Sequence, residues 1–145
     1  VQNLFDEYQI PARHICFEIT ESMAILNLQN TLEFIHHFRG LGCHFSLDDF
    51  GSGFSSYGYL KNFPVDFIKI DGNFVRDLLE DKFDRAIVNS IHDVAAAMGI
   101  KTIAEFVENG QILAELKAMG VNYGQGYGIA KPKPLAELVL DEDAS

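Results

Sequence analysis

Five short runs rich in β-branched and aromatic residues are separated by longer stretches of helical period, and this alternation leaves few architectures open. The runs are residues 15–20, 44–48, 67–71, 101–105 and 121–125. Between them, Leu28, Leu32, Ile35 and Phe38 form one apolar stripe, Ile87, Ile91, Val94 and Met98 a second, and Ile112, Leu116 and Met119 a third. Glycines stand just past each stripe, at Gly40 or Gly42, Gly99 and Gly120, and Asn109 is placed to cap the third helix. Strands that alternate with helices pair in parallel, because each helix carries the chain back to the starting edge. The expected class is therefore α/β, a parallel sheet or barrel of about five βα units. Leu4, Phe5 and Tyr8, at helical spacing before Pro11, read as the tail of a helix whose strand lies upstream. No linker or low-complexity segment interrupts residues 1–145, so the chain is expected to be part of one domain. Asp141, Glu142 and Asp143 read as a solvated end.

Composition narrows the function. The chain has 145 residues, 48% hydrophobic and 22% charged, with a net charge of −10 and no cluster of lysine or arginine. A nucleic-acid polymer is not an expected partner, since nothing here would displace its counterions. An acidic protein that handles a phosphate needs positive charge from elsewhere, and a divalent metal held by its own carboxylates supplies it. No apolar run has the length of a membrane span and the first residues are not a secretory signal. No membrane contact and a cytoplasmic location are expected. Cys16 and Cys43 lack CxxC spacing and are expected to be buried thiols.

In parallel α/β proteins, chemistry collects at the C-terminal strand ends. Glu18 and Glu21, Asp48 and Asp49, Lys69 and Asp71, then Glu105 and Glu108 fall at the first four ends, with Gln125 at the fifth. Alternation along a strand sends Phe17, Ile19, Ile68 and Ile70 toward the helices and Glu18, Thr20, Lys69 and Asp71 inward. Any one such acid is explained by capping the next helix. As a set they are not, because Glu18 and Lys69 sit inside apolar strands, where an isolated charge is costly. Converging carboxylates raise one another's pKa unless a cation intervenes, and hard oxygen ligands without His or Cys favour Mg2+, Mn2+ or Ca2+ over zinc. The glycine-serine turn 50–56 after the two aspartates is able to carry them to the mouth.

These residues carry a resemblance. Phe17-Glu18-Ile19-Thr20-Glu21-Ser22, Asp48-Asp49-Phe50-Gly51-Ser52-Gly53, Lys69-Ile70-Asp71, Ala104-Glu105-Phe106-Val107-Glu108, and Gln125-Gly126-Tyr127 with Lys131-Pro132-Lys133-Pro134-Leu135 resemble, in order and spacing, the C-terminal part of an EAL domain, the bacterial phosphodiesterase module for cyclic di-GMP. The resemblance implies a TIM-type (βα) barrel, present here as a partial barrel of about five units, with the Glu-Ala-Leu signature and a metal-holding asparagine upstream. It implies that Glu18 and Asp48 ligate one Mg2+ or Mn2+ and Asp49 a second, with Glu105 near it. Lys69 positions or polarises the attacking water and Glu105 serves as general base. Glu21 anchors the 50–56 loop, while Asp71, Glu108 and Gln125 complete the site wall. Two metals about 4 Å apart suit in-line displacement at a phosphodiester. Phe106 departs from the glycine many members carry at that place.

The implied function is metal-dependent hydrolysis of cyclic di-GMP to linear pGpG, in a parent chain with sensory or cyclase domains and with homodimer formation in view. The segment alone is expected to be inactive. A non-catalytic module that binds cyclic di-GMP or a protein is the alternative. A Schiff-base role for Lys69 is disfavoured, because the surrounding acids keep it protonated. His14, His36, His37, His44 and His92 are expected to be structural or superficial. Tyr57, Tyr59 and Tyr127 are candidates to stack on a base, against packing as the simpler role.

Overall fold

A computed structural model describes residues 2–51 and 57–134 of the chain. Its five strands are β1 (Cys16–Thr20), β2 (His44–Phe50), β3 (Phe67–Ile70), β4 (Lys101–Ala104) and β5 (Tyr123–Gly124). They form one parallel sheet in the order β1-β2-β3-β4-β5, so each strand lies beside its neighbour in sequence. Helices α1 (Gln2–Tyr8), α2 (Glu21–Leu26), α3 (Leu28–Gly40), α4 (Tyr57–Leu60), α5 (Gly72–Arg76), α6 (Lys82–Ala97) and α7 (Gly110–Met119) complete the architecture. This is the partial barrel expected of successive βα units.

The core lies between the sheet and its helices. Phe17 on β1 and Phe45 on β2 stand opposite one another and stack at 5.3 Å, with Phe34 and Phe38 of α3 closing over them. Aromatic contacts of this kind add roughly 0.5–1.5 kcal/mol each beyond area burial. Leu47, Ile68, Ile70 and Ala104 continue the buried layer. The other face, traced by register through Glu18, Ser46, Phe67, Lys69, Ile103 and Tyr123, mixes polar and aromatic residues.

The helices begin and end where local chemistry dictates. Asp81 caps α6 by accepting from Phe83 N at 2.7 Å, and Asn109 caps α7 by accepting from Gln111 N and Ile112 N. Gly120, at φ +89°, ends α7 in the left-handed conformation that other residues rarely adopt. The stripe on α6 is rotated slightly from the expected one: Val88, Ile91 and Ala95 are buried, and Met98 sits at the exposed C-terminal end. Cys43 is buried, but Cys16 is exposed, because β1 lies at the edge of the sheet. Leu135 of the last quoted stretch and the acidic end at Asp141, Glu142 and Asp143 lie outside the described residues.

Candidate active site

The two adjacent aspartates raise a geometric problem, because neighbours on a regular strand point to opposite faces. β2 resolves it with one extra residue. Leu47 stands opposite Ile68 and Phe50 opposite Ile70, so three steps on β2 match two on β3. The surplus is absorbed at Asp49, whose φ of +55° is left-handed. Aspartate tolerates that conformation better than most residues, at about 1 kcal/mol. As a result carboxylate oxygens of Asp48, Asp49 and Glu105 lie within 4.8 Å of one another. The bulge also extends β2 to Phe50, two residues past its expected end.

Lys69 lies beneath this group with its side chain 5% exposed. Its Nζ is 2.9 Å from Glu105, 3.0 Å from Asp48 and 3.3 Å from Glu18. Burial by itself lowers the lysine pKa, but the hydrogen bond to Glu105 and the charges of Glu105 and Asp48 outweigh it and hold the ammonium above its ordinary value. Glu105 is displaced upward by burial, against the pull of Lys69, with Asp48 and Asp49 adding to the rise. Asp49 moves upward for the same reasons, burial first and then Asp48 and Asp71.

These residues fit a divalent cation. Asp48 Oδ1 is buried and ion-paired with Lys69 Nζ at 3.0 Å without well-aligned hydrogen-bond geometry, so it retains acceptor capacity. An acceptor in that state, beside two further carboxylates, is completed by a cation. The set holds no His or Cys, which matches hard metals. Glu18 stands apart from the tight group: its side chain is 54% exposed and touches Lys69.

The remaining strand-end residues divide. Asp71 accepts from Asn73 N at 2.8 Å and caps α5, so the helix-capping explanation holds for it, while its charge still reaches Asp49. Thr20 turns to cap α2, accepting from Met23 N at 3.4 Å. Glu21 is buried, 3% exposed, and accepts from Gly51 N at 3.2 Å and from the Tyr59 hydroxyl. Residues 52–56 of the loop it was expected to anchor lie outside the described residues. Glu108 pairs with Arg76 at 3.5 Å.

Glu105, Glu108 and Gln125 line a cavity of about 740 Å3 together with Arg76, Phe106 and Tyr127. Phe106 takes a φ of +49°, the backbone for which glycine is best suited. Its ring lies over Gly72, where an added Cβ would fall 1.5 Å from Cδ2, and under the Arg76 guanidinium, 5.3 Å from its centroid. On the other wall the backbone of Gly126 presses on Val107, leaving 2.3 Å between an added Cβ and Val107 N. Bonds from Val107 N to Gln125 O and from Gly128 N to Val107 O fasten the two loops together.

Sequence reasoning missed Arg76 and the partner role of Tyr59. A lone cation at the end of α5 was available as a signal for Arg76. Nothing linked Tyr59 to a carboxylate 38 residues away. Among the histidines, His92 Nδ1 lies 2.9 Å from Thr102 Oγ1, His37 packs edge-on to Phe38, and His14 and His36 are exposed.

The EAL domain family model matches residues 1–132. The chain belongs to the EAL domain family. The cyclic di-GMP phosphodiesterase PdeB of Shewanella oneidensis is 54% identical over 135 residues, 93% of this chain and 15% of the relative. The solved PaMucR phosphodiesterase in complex with c-di-GMP superposes with a TM-score of 0.91 at 33% identity, covering 96% of this chain and 56% of that one. The Klebsiella pneumoniae BlrP1 manganese/cy-diGMP complex gives 0.80 at 29% identity, over 87% of this chain and 33% of that one. The EAL chain described here thus spans only a fraction of these relatives' lengths. Among its described residues, no helix is long and apolar enough to cross a membrane.

Proposed function

We propose that this chain carries the acidic side of an EAL phosphodiesterase centre that hydrolyses cyclic di-GMP to linear pGpG with Mg2+ or Mn2+. The observation that carries this reading is the convergence of Asp48, Asp49 and Glu105 beside the buried Lys69. The names of the relatives, and the cyclic dinucleotide bound in PaMucR and BlrP1, support the substrate. Asp48, Asp49, Glu105 and Glu18 would hold the metal, one ion or two. Bound there, divalent charge would offset the dianionic substrate and the oxygen leaving phosphorus.

This chain's own groups have distinct tasks. Lys69, held protonated, cannot accept a proton; it orients the attacking water and keeps Glu105 and Asp48 in place. Glu105, with its proton affinity raised, is the group suited to take the water's proton. The new P–O bond comes from water, one ring P–O bond breaks, and the proton ends on the departing ribose oxygen. Glu21 anchors the start of the loop after β2, and Glu108 and Gln125 wall the cavity in which a base is received. The module is proposed to act as the C-terminal portion of a barrel within a longer, dimeric chain that also holds sensory or cyclase domains.

The test is cleavage of cyclic di-GMP by the full parent chain, followed by chromatography with and without EDTA. Metal-dependent appearance of pGpG is expected, and Glu105→Gln should reduce it by about 100-fold or more. Tight nucleotide binding without turnover at any Mg2+ or Mn2+ concentration would assign the module to sensing instead.

A further inference from the structure

We propose that Tyr59 is a positioning residue for the acidic centre: by holding Glu21 it fixes the backbone at Gly51, and through it the left-handed turn that brings Asp48 and Asp49 toward Glu105. This rests on the metal centre proposed above and adds a residue to its support.

The contacts run from Tyr59 through Glu21 to Gly51. Glu21 opens α2 immediately after β1, and among the described residues its Oε1 accepts from the Tyr59 hydroxyl and its Oε2 from Gly51 N. At 3% exposure this carboxylate has little recourse to water, so both donors matter. Gly51 lies two residues beyond Asp49 and is held on its other side by packing. Its φ is +102°, and a Cβ there would stand 3.1 Å from Ile91 Cδ1 and from Phe74 Cε2. The turn is therefore set between an apolar wall and one hydrogen-bonded carboxylate.

Tyr59 is itself well placed to hold that carboxylate. Leu60 beside it is fully buried, and the Tyr59 ring meets Phe63 edge-on at 5.7 Å. Burial and the bond to Glu21 hold its hydroxyl protonated, so it remains a donor. Replacing it by phenylalanine keeps the ring packing and removes that donor. Glu21 is then free to turn away from Gly51, and the bulge loses its outer support.

The experiment titrates Mn2+ against the full parent chain by electron paramagnetic resonance, for the unsubstituted protein, Tyr59→Phe and Phe63→Leu, alongside amide exchange at Gly51. Tyr59→Phe is expected to weaken Mn2+ binding about tenfold, as loss of a supporting hydrogen bond does at metal sites. It should speed exchange at Gly51 and raise the half-saturating Mn2+ for turnover by the same factor, with kcat near normal at saturation. Phe63→Leu should lower the melting temperature and leave the Mn2+ constant in place. Unchanged Mn2+ affinity and Gly51 exchange in folded Tyr59→Phe would overturn the proposal, as would an equal loss of affinity in Phe63→Leu. If Tyr59→Phe does not fold, linkage supplies the test in the unsubstituted protein: Mn2+ must slow exchange at Gly51, and no slowing refutes the coupling. Absence of Mn2+ binding by the unsubstituted protein would instead refute the metal centre, and Gly51 exchange in Tyr59→Phe would then judge the clamp alone.

Discussion

Lys69 has its charge where three carboxylates meet, and most of the site's electrostatics follow from that placement. Removing it as Lys69→Met leaves Asp48 and Glu105 without their buried cation, and should cost about 3 kcal/mol of stability at neutral pH, read from the denaturant midpoint. Millimolar Mn2+ should restore part of that loss. The lysine's folded-state pKa lies above its ordinary 10.5, so its contribution is present throughout the neutral range and fades only as pH rises through the higher folded value. Asp49 has the opposite effect, since its pKa is raised as an acid and ionising it opposes folding. Asp49→Asn suits the left-handed backbone and removes the repulsion from Asp48 and Asp71. It should stabilise the metal-free protein only slightly at pH 7, because solvent screens this exposed carboxylate, while Mn2+ affinity falls. That gain should vanish below the ordinary carboxylate value of 3.8, where both forms are neutral, and grow as pH rises through the elevated folded value. Thermal melts from pH 3 to 7 would check the sign.

Elements meet at this site through contacts that tolerate little change. The start of α5 packs under the loop after β4 only because Gly72 has no side chain where the Phe106 ring lies. Gly72→Ala should cost about 2 kcal/mol by forcing the ring away, whereas in a Phe106→Gly background the same substitution should cost well under 1 kcal/mol. Equal costs in both backgrounds would dismiss the contact. Helix boundaries were legible because caps are local: Asn109 for α7 and the glycines after α3, α6 and α7 act within a few residues. Strand ends were less so. β3 stops at Ile70 because Asp71 turns to cap α5, and β2 continues to Phe50 because the bulge at Asp49 extends its pairing with β3.

At the scale of the whole molecule, β1 and β5 each pair with one neighbour among the described residues, and the chain matches 56% of the PaMucR chain it resembles. On the proposed reading of the chain as the C-terminal portion of a longer EAL phosphodiesterase barrel, the 145 residues expressed alone should turn over cyclic di-GMP more slowly than that longer chain by on the order of 100-fold or more, and should associate through the edges of β1 and β5. A monomer of full activity in light scattering and turnover assays would overturn that expectation. The amino-acid sequence, through its alternating periods and its acids at successive strand ends, was enough for the parallel βα class and for expecting Glu18, Asp48, Asp49, Lys69 and Glu105 at one mouth, where Asp48, Asp49 and Glu105 come together and Glu18 stands apart. Period and spacing act over a few residues and survive in a linear reading. Which acids would meet, and which would serve helices or loops, was settled only by tertiary packing. Asp71 is drawn to a backbone amide, Glu21 to a tyrosine 38 residues away, and Asp49 into a left-handed bulge. Those outcomes depend on where distant donors come to rest in space, and local pattern carries no record of that.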